Sequence, residues 1–332
     1  MKSRTKAGLT LLAGSGLSYL GGSWLAARSL SRRLVSAQGL KPAVARRENL
    51  LSALNAAAPL VKDFRHAGSS RHPVELAAVF ASPGDPASRP TIVFTHGKGG
   101  NAAEWEPDAL RALGTGYNVL LPELRGHAPS GGAFVTYGLL EKEDLANAVA
   151  WVGERYGVAR DRLGVHSCSA GSAIALELAA HAPGVKALWL ESPFAEPEAM
   201  ARHYLSRATR LPGAVLHLTS RWAVRRALER IRRDLGGGEG KLELLDPART
   251  LAKLSARVLL VYGEKDRLVP PRFVRRLVAA LPPGSEVWRT PAGHCHHDDQ
   301  TSSVLPAEYE RRWKEFFGRN LPLEASGRNE AT

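Results

Sequence analysis

Apolar and polar positions alternate along this chain in two distinct rhythms, and the switches between them predict its elements. Short apolar runs bounded by turn residues read as strands at Leu60–Arg65, Val74–Phe80, Thr91–Thr95, Tyr117–Leu121, Leu163–Cys168, Val185–Leu190, Arg257–Gly263 and Glu286–Thr290. Between them, apolar residues recurring every three or four positions predict helices over 102–113, 139–156, 170–180, 271–281 and 307–317. In the second of these, Leu140, Leu145, Val149 and Val152 share one face. Strands alternating with helices imply an α/β fold, a mostly parallel central sheet with helices on both faces. The rhythm breaks over 195–255, where only helical patterns occur, among them Arg221–Arg233; this stretch is expected to form a small helical cap. Many arginines interrupt that helix, which suits a solvated basic face or a surface turned to substrate or membrane.

Composition changes the picture in three places. A length of 332 residues allows one large domain with additions: an N-terminal segment and basic linker over 1–57, helical from 28 to 57, a catalytic domain over 58–320 and a tail over 321–332. The net charge of +13 favours a solvated Arg-rich surface, with an anionic membrane surface as the alternative. Nothing resembles a nucleic-acid module, so no nucleic-acid partner is expected. Two cysteines, Cys168 and Cys295, exclude a disulfide framework. Each is expected to be a buried free thiol, with a pairing between them as the alternative.

Ala7–Ala27 carries no charge and follows Lys2, Arg4 and Lys6. Its length predicts a transmembrane anchor, and the basic residues after it lean the catalytic part towards the cytoplasm. A cleaved signal peptide, and hence secretion, is the alternative.

The chemistry gathers at Ser167-Cys168-Ser169-Ala170-Gly171, where a strand run passes abruptly into a helix run through small residues. Such a turn is a nucleophile elbow, which presents one serine at the end of a sheet. Centring on Ser169 keeps the glycine at 171, although Ser167 stands where the pattern has its first glycine. Further loops carry THGKGG (95–100), PELRGHAPSGG (122–132), GEKDRLVPP (263–271) and PAGHCHH (291–297). Together and in this order they resemble the α/β-hydrolase superfamily, in particular bacterial serine esterases with a short helical cap.

That resemblance implies a Ser169–Asp266–His294 triad with the acyl-enzyme chemistry of a carboxylic ester hydrolase. Ser169 needs a base, His294 would supply it, and Asp266 would orient the imidazole. The resemblance also places the oxyanion donors at the backbone N–H groups of Lys98 and Ala170. Glu191, at another strand end, is the alternative acid. His294, Cys295, His296, His297, Asp298 and Asp299 could be read as metal ligands, but they crowd one short loop, so no metal and no cofactor are expected. The expected partner is a small-molecule ester, with an apolar acyl group or a lipid, met beside a membrane. Peptidase, thioesterase or acyltransferase activity on the same triad, or a non-catalytic membrane-tethered scaffold, are the alternatives.

Overall fold

A computed structural model describes residues 22, 24, 25, 28–32, 34, 36, 44–208, 212–234, 245–295 and 304–323. The chain divides into two compact units, one of residues 37–195 with 245–332 and the other of residues 1–36 with 196–244.

The larger unit is built on one eight-stranded sheet. Its strands are β1 (Leu60–Ala67), β2 (Glu75–Ser82), β3 (Thr91–Thr95), β4 (Asn118–Pro122), β5 (Leu163–Cys168), β6 (Val185–Glu191), β7 (Arg257–Gly263) and β8 (Glu286–Thr290). They lie in the order β1-β2-β4-β3-β5-β6-β7-β8. β2 runs antiparallel to β1 and β4, whereas β3 to β8 are parallel, which is the α/β-hydrolase architecture. β3, β4 and β5 are buried at every position, as strands covered on both faces must be.

Helices supply that cover. In chain order they are α1 (Val44–Ala57), α2 (Glu106–Thr115), α3 (Glu141–Tyr156), α4 (Ala170–His181), the short α5 (Pro247–Leu251) and α6 (Arg275–Val278), and α7 (Pro306–Asn320). α4 is apolar all round and buried along nearly its whole length, so it is the central helix of the stack. α7 buries Tyr309, Trp313, Phe316 and Phe317 against Trp189 and Tyr117.

Three expectations need correcting. Val44–Ala57 falls within the stretch read as a basic linker, yet Leu50 and Leu54 of α1 are fully buried in the core beside Trp105 and Ala109. Its basic residue Arg47 is held at 2.7 Å from Asp63 and 3.2 Å from Glu123, which is why a basic helix can dock here. The helix expected over 271–281 is instead a 3-10 turn at Pro271–Phe273 followed by the short α6. Finally, the membrane-anchored, cytoplasm-facing localisation is not upheld: among the described residues no helix is long and apolar enough to cross a membrane. Most of Ala7–Ala27 lies outside the described residues. Gly and Ser at 14, 15, 16, 18, 21, 22 and 23 dilute its apolar character, and the described Trp24 lies 6.3 Å from the Trp222 ring.

In the smaller unit the helices Pro197–Ala208 and Gly213–Asp234 are inserted in the chain between β6 and β7. Ala223, Val224, Ala227 and Ile231 form its buried stripe at helical spacing. The arginines of Gly213–Asp234 face outward, and Arg226 stacks 5.4 Å from the centroid of Trp222.

Candidate active site

The described candidate residues lie in the larger unit, at the carboxyl ends of the parallel strands. The turn from β5 into α4 passes through Ser169, whose φ of 55° and ψ of −121° lie where non-glycine residues are rare. The conformation is held from several sides. Ser169 N–H donates to Glu191 O at 2.8 Å, and Ser172 N–H donates back to Ser169 O at 3.0 Å. Gly171 is required by packing, since a Cβ there would lie 2.6 Å from His96 O and still closer to Thr95 O. The Ser169 hydroxyl makes no capping bond to the helix it precedes. Ser167, the other serine of the elbow, is fully buried and donates to Trp189 O at 3.1 Å. Only Ser169 of the pair is partly exposed.

Asp266 and His294 come together from the loops after β7 and β8. Gly263 allows this: a Cβ there would collide with the carbonyls of Ala292 and Gly293. His294 Nδ1 donates to Asp266 Oδ2 at 2.8 Å, while Asp266 Oδ1 accepts Leu268 N–H at 2.9 Å and Val269 N–H at 2.7 Å. Both residues are buried, with 3% and 4% exposure. With Nδ1–H committed to the carboxylate, the lone pair sits on Nε2. Among the described residues no hydrogen bond joins Ser169 Oγ to His294, a contact that commonly tightens only with substrate.

Two imidazoles shape the Thr95–Gly100 loop. His96 Nδ1–H donates to Gly97 O at 2.8 Å, and its Nε2 accepts Leu124 N–H at 3.1 Å. His127, of the loop after β4, donates from Nδ1 to Arg125 O at 3.1 Å and accepts Gly99 N–H on Nε2 at 3.1 Å. Burial, then the neighbouring His96, pushes His127 down to about 3, so it is a neutral acceptor. The loop comes close to Ser169, because a Cβ on Gly97 would stand 3.3 Å from Ser169 Cβ. Ala170 opens α4, so its N–H has no intrahelical acceptor. Burial holds the half-buried Lys98 ammonium down to about 8.

Glu191 has another task. Its Oε1 accepts Tyr309 O–H at 2.5 Å, Trp189 Nε1–H at 2.9 Å and His166 Nε2–H at 3.1 Å. Trp313 Nε1–H donates to His166 Nδ1 at 3.3 Å, which fixes that tautomer. Burial and the nearby Asp108 and Glu191 carboxylates raise the Tyr309 phenol well above its ordinary range. The group is a buried polar brace beneath the elbow.

The cysteines are paired rather than free. Cys168 and Cys295 form a disulfide, with Cα atoms 6.0 Å apart, that ties the residue before Ser169 to the residue after His294. The ligand atoms of Cys168, His294 and Cys295 lie within 4.8 Å of one another. His296, His297, Asp298 and Asp299 lie outside the described residues.

The alpha/beta hydrolase family matches residues 92–306. The chain belongs to that family. Among solved structures, this alpha/beta hydrolase is similar to esterase Pf2001 of Pyrococcus furiosus, at 22% identity and TM-score 0.60, over 79% of this chain and 93% of that one. It is also similar to a membrane phospholipase A described as a bacterial virulence factor, at 20% identity and TM-score 0.55, over 96% and 99% of the two chains. A puromycin-hydrolyzing peptidase of Mycobacterium tuberculosis shares 19% identity at TM-score 0.59, over 80% of this chain and 40% of that one. At these identities the likeness shows the fold. The uncharacterized protein YqkD of Bacillus subtilis (strain 168) is 28% identical over 189 residues, 56% of this hydrolase and 58% of that relative's length.

Proposed function

We propose that this hydrolase cleaves small carboxylic esters with apolar acyl groups through an acyl-enzyme on Ser169. The reading rests above all on the buried Asp266–His294 pair, which orients the imidazole with Nε2 away from the carboxylate, in the unit that also carries a strained serine. In the forward step His294 Nε2 takes the hydroxyl proton as Ser169 Oγ attacks the ester carbonyl. Asp266 stabilises the resulting imidazolium while its other oxygen stays fixed by two backbone N–H groups. The backbone N–H groups of Lys98 and Ala170 receive the oxyanion, and the amino end of α4 favours the developing charge.

Collapse of the tetrahedral intermediate expels the alcohol, which takes its proton from His294. Water then attacks the acyl-enzyme with His294 again as base, releasing the acid and restoring Ser169. Esterase, phospholipase and peptidase chemistries among structures of this fold all concern acyl groups, and the fold does not choose among them. The test is hydrolysis of p-nitrophenyl esters of graded chain length. Ser169→Ala is expected to lower kcat by a factor on the order of 10⁶ with unchanged thermal stability. An alanine variant as active as the native chain rejects Ser169 as nucleophile.

A further inference from the structure

The Cys168–Cys295 bridge stands beside both the nucleophile and the base of the proposed mechanism, which does not use it. We propose that its reduction turns Cys168, His294 and Cys295 into a site for one thiophilic divalent cation, with zinc as the reference ion. The cation silences the hydrolase by occupying His294 Nε2. The silencing rests on His294 being the base; the binding does not.

The geometry suits this ion. In a tetrahedral zinc site, Zn–S distances of about 2.3 Å and Zn–N distances of about 2.0 Å space the donors roughly 3.6–3.8 Å apart. Cys295 Sγ already lies 3.9 Å from His294 Nε2, and the three donor atoms lie within 4.8 Å of one another. All three residues are buried, so the donors are already largely stripped of water. The imidazole is also correctly prepared. Ligating histidines commonly donate their other N–H to a carboxylate, as His294 Nδ1 does to Asp266 Oδ2 at 2.8 Å. The arrangement that readies Nε2 for a serine proton readies it equally for a metal. Two thiolates and one imidazole leave the fourth position to water.

The chemistry balances with a phosphine as reductant. The phosphine takes oxygen from water and becomes its oxide, and the disulfide gains two electrons and two protons to become two thiols. Cation binding then expels those two protons, and the thiolates and Nε2 donate to the metal. While the bridge is intact its sulfurs offer no thiolate, so the oxidised protein is blind to the ion.

The test uses the full chain, reduced with a water-soluble phosphine that is then removed under nitrogen, with both cysteine thiols counted afterwards by a chromogenic reagent. Cobalt(II) titration is expected to give one ion per chain, with thiolate-to-cobalt charge-transfer bands that zinc abolishes. The oxidised protein should give none. Ester turnover of the reduced protein should fall with zinc by a factor on the order of 10²–10⁴, the usual worth of a general base, and return with a chelator. Cys295→Ala should lose the two-thiolate spectrum. Reduced protein that lacks thiolate bands, or loses its native near-ultraviolet circular dichroism on reduction, overturns the proposal; so do bands that persist in Cys295→Ala. Cobalt bands with turnover untouched by zinc leave the binding site standing and overturn the role of His294 as base.

Discussion

His127 gives this protein a specific sensitivity to acid. In the fold its Nε2 accepts Gly99 N–H, and burial holds it down to about 3 against an ordinary 6.5. Between those values the unfolded chain binds a proton that the folded chain refuses. Stability from this group is therefore complete above pH 6.5 and declines as pH falls towards 3. One proton corresponds to about 1.4 kcal/mol per pH unit, so at pH 4.5 the loss from this residue alone is about 3 kcal/mol. With a urea slope of about 3 kcal/mol/M, that is a midpoint lower by about 1 M.

The comparison is native protein against His127→Gln, whose amide can accept from Gly99 and donate to Arg125 without titrating. Urea midpoints measured from pH 7.5 to 4.5 should fall more steeply in the native chain by this amount. His66, also lowered chiefly by burial, and the carboxylates titrate in both proteins and cancel in the difference. Parallel midpoint curves would refute the reasoning, because they would mean that His127 is not held neutral by the fold.

Other perturbations test the site and its supports. Asp266→Asn should keep the backbone bonds to Leu268 and Val269 yet misorient His294, lowering kcat by a factor on the order of 10³–10⁴ with the urea midpoint unchanged; a loss under about tenfold removes Asp266 from the mechanism. Gly171→Ala should push α4 from the carbonyls of Thr95 and His96, costing about 1–3 kcal/mol by thermal denaturation and lowering ester turnover. A fully stable alanine variant contradicts the packing argument. Asp144→Ala strands the buried Arg125 guanidinium, which the carboxylate now meets at 2.6 and 2.7 Å, and should cost about 3–5 kcal/mol. The paired Arg125→Met/Asp144→Leu change should cost less, and equal costs would show that the charges are not desolvated.

Elements whose reasons are local were legible in the sequence. All eight strands stand within a residue or two of their expected bounds, because apolar runs between turn signals leave little choice once both faces must be covered. α1 was read as part of a linker because Leu50 and Leu54 are few among alanines and charges. Its docking depends on Asp63 and Glu123, the second of them 76 residues from Arg47. The disulfide was legible only as the lesser alternative: its cysteines stand 127 residues apart, and the convergence of β5 with the loop after β8 brings them together.

The two buried carboxylates show most clearly where reading the sequence stops. Glu191 and Asp266 both follow apolar strand runs, and each meets a histidine in the fold at hydrogen-bond distance, 3.1 Å to His166 and 2.8 Å to His294. What separates them is the second nitrogen of each ring. Trp313, 147 residues beyond His166, donates to its Nδ1, so that imidazole has both nitrogens engaged in the core and no lone pair for a serine. His294 keeps Nε2 as an acceptor because Asp266 takes Nδ1–H and the backbone takes up the other carboxylate oxygen. A carboxylate becomes a candidate triad acid through the histidine it orients, and that histidine becomes a candidate base through the nitrogen its surroundings leave open. Neither property belongs to a residue or its sequence neighbours, which is why the loop resemblance could nominate Asp266 while only the hydrogen-bond partners explain why Glu191 is unsuited to the same work.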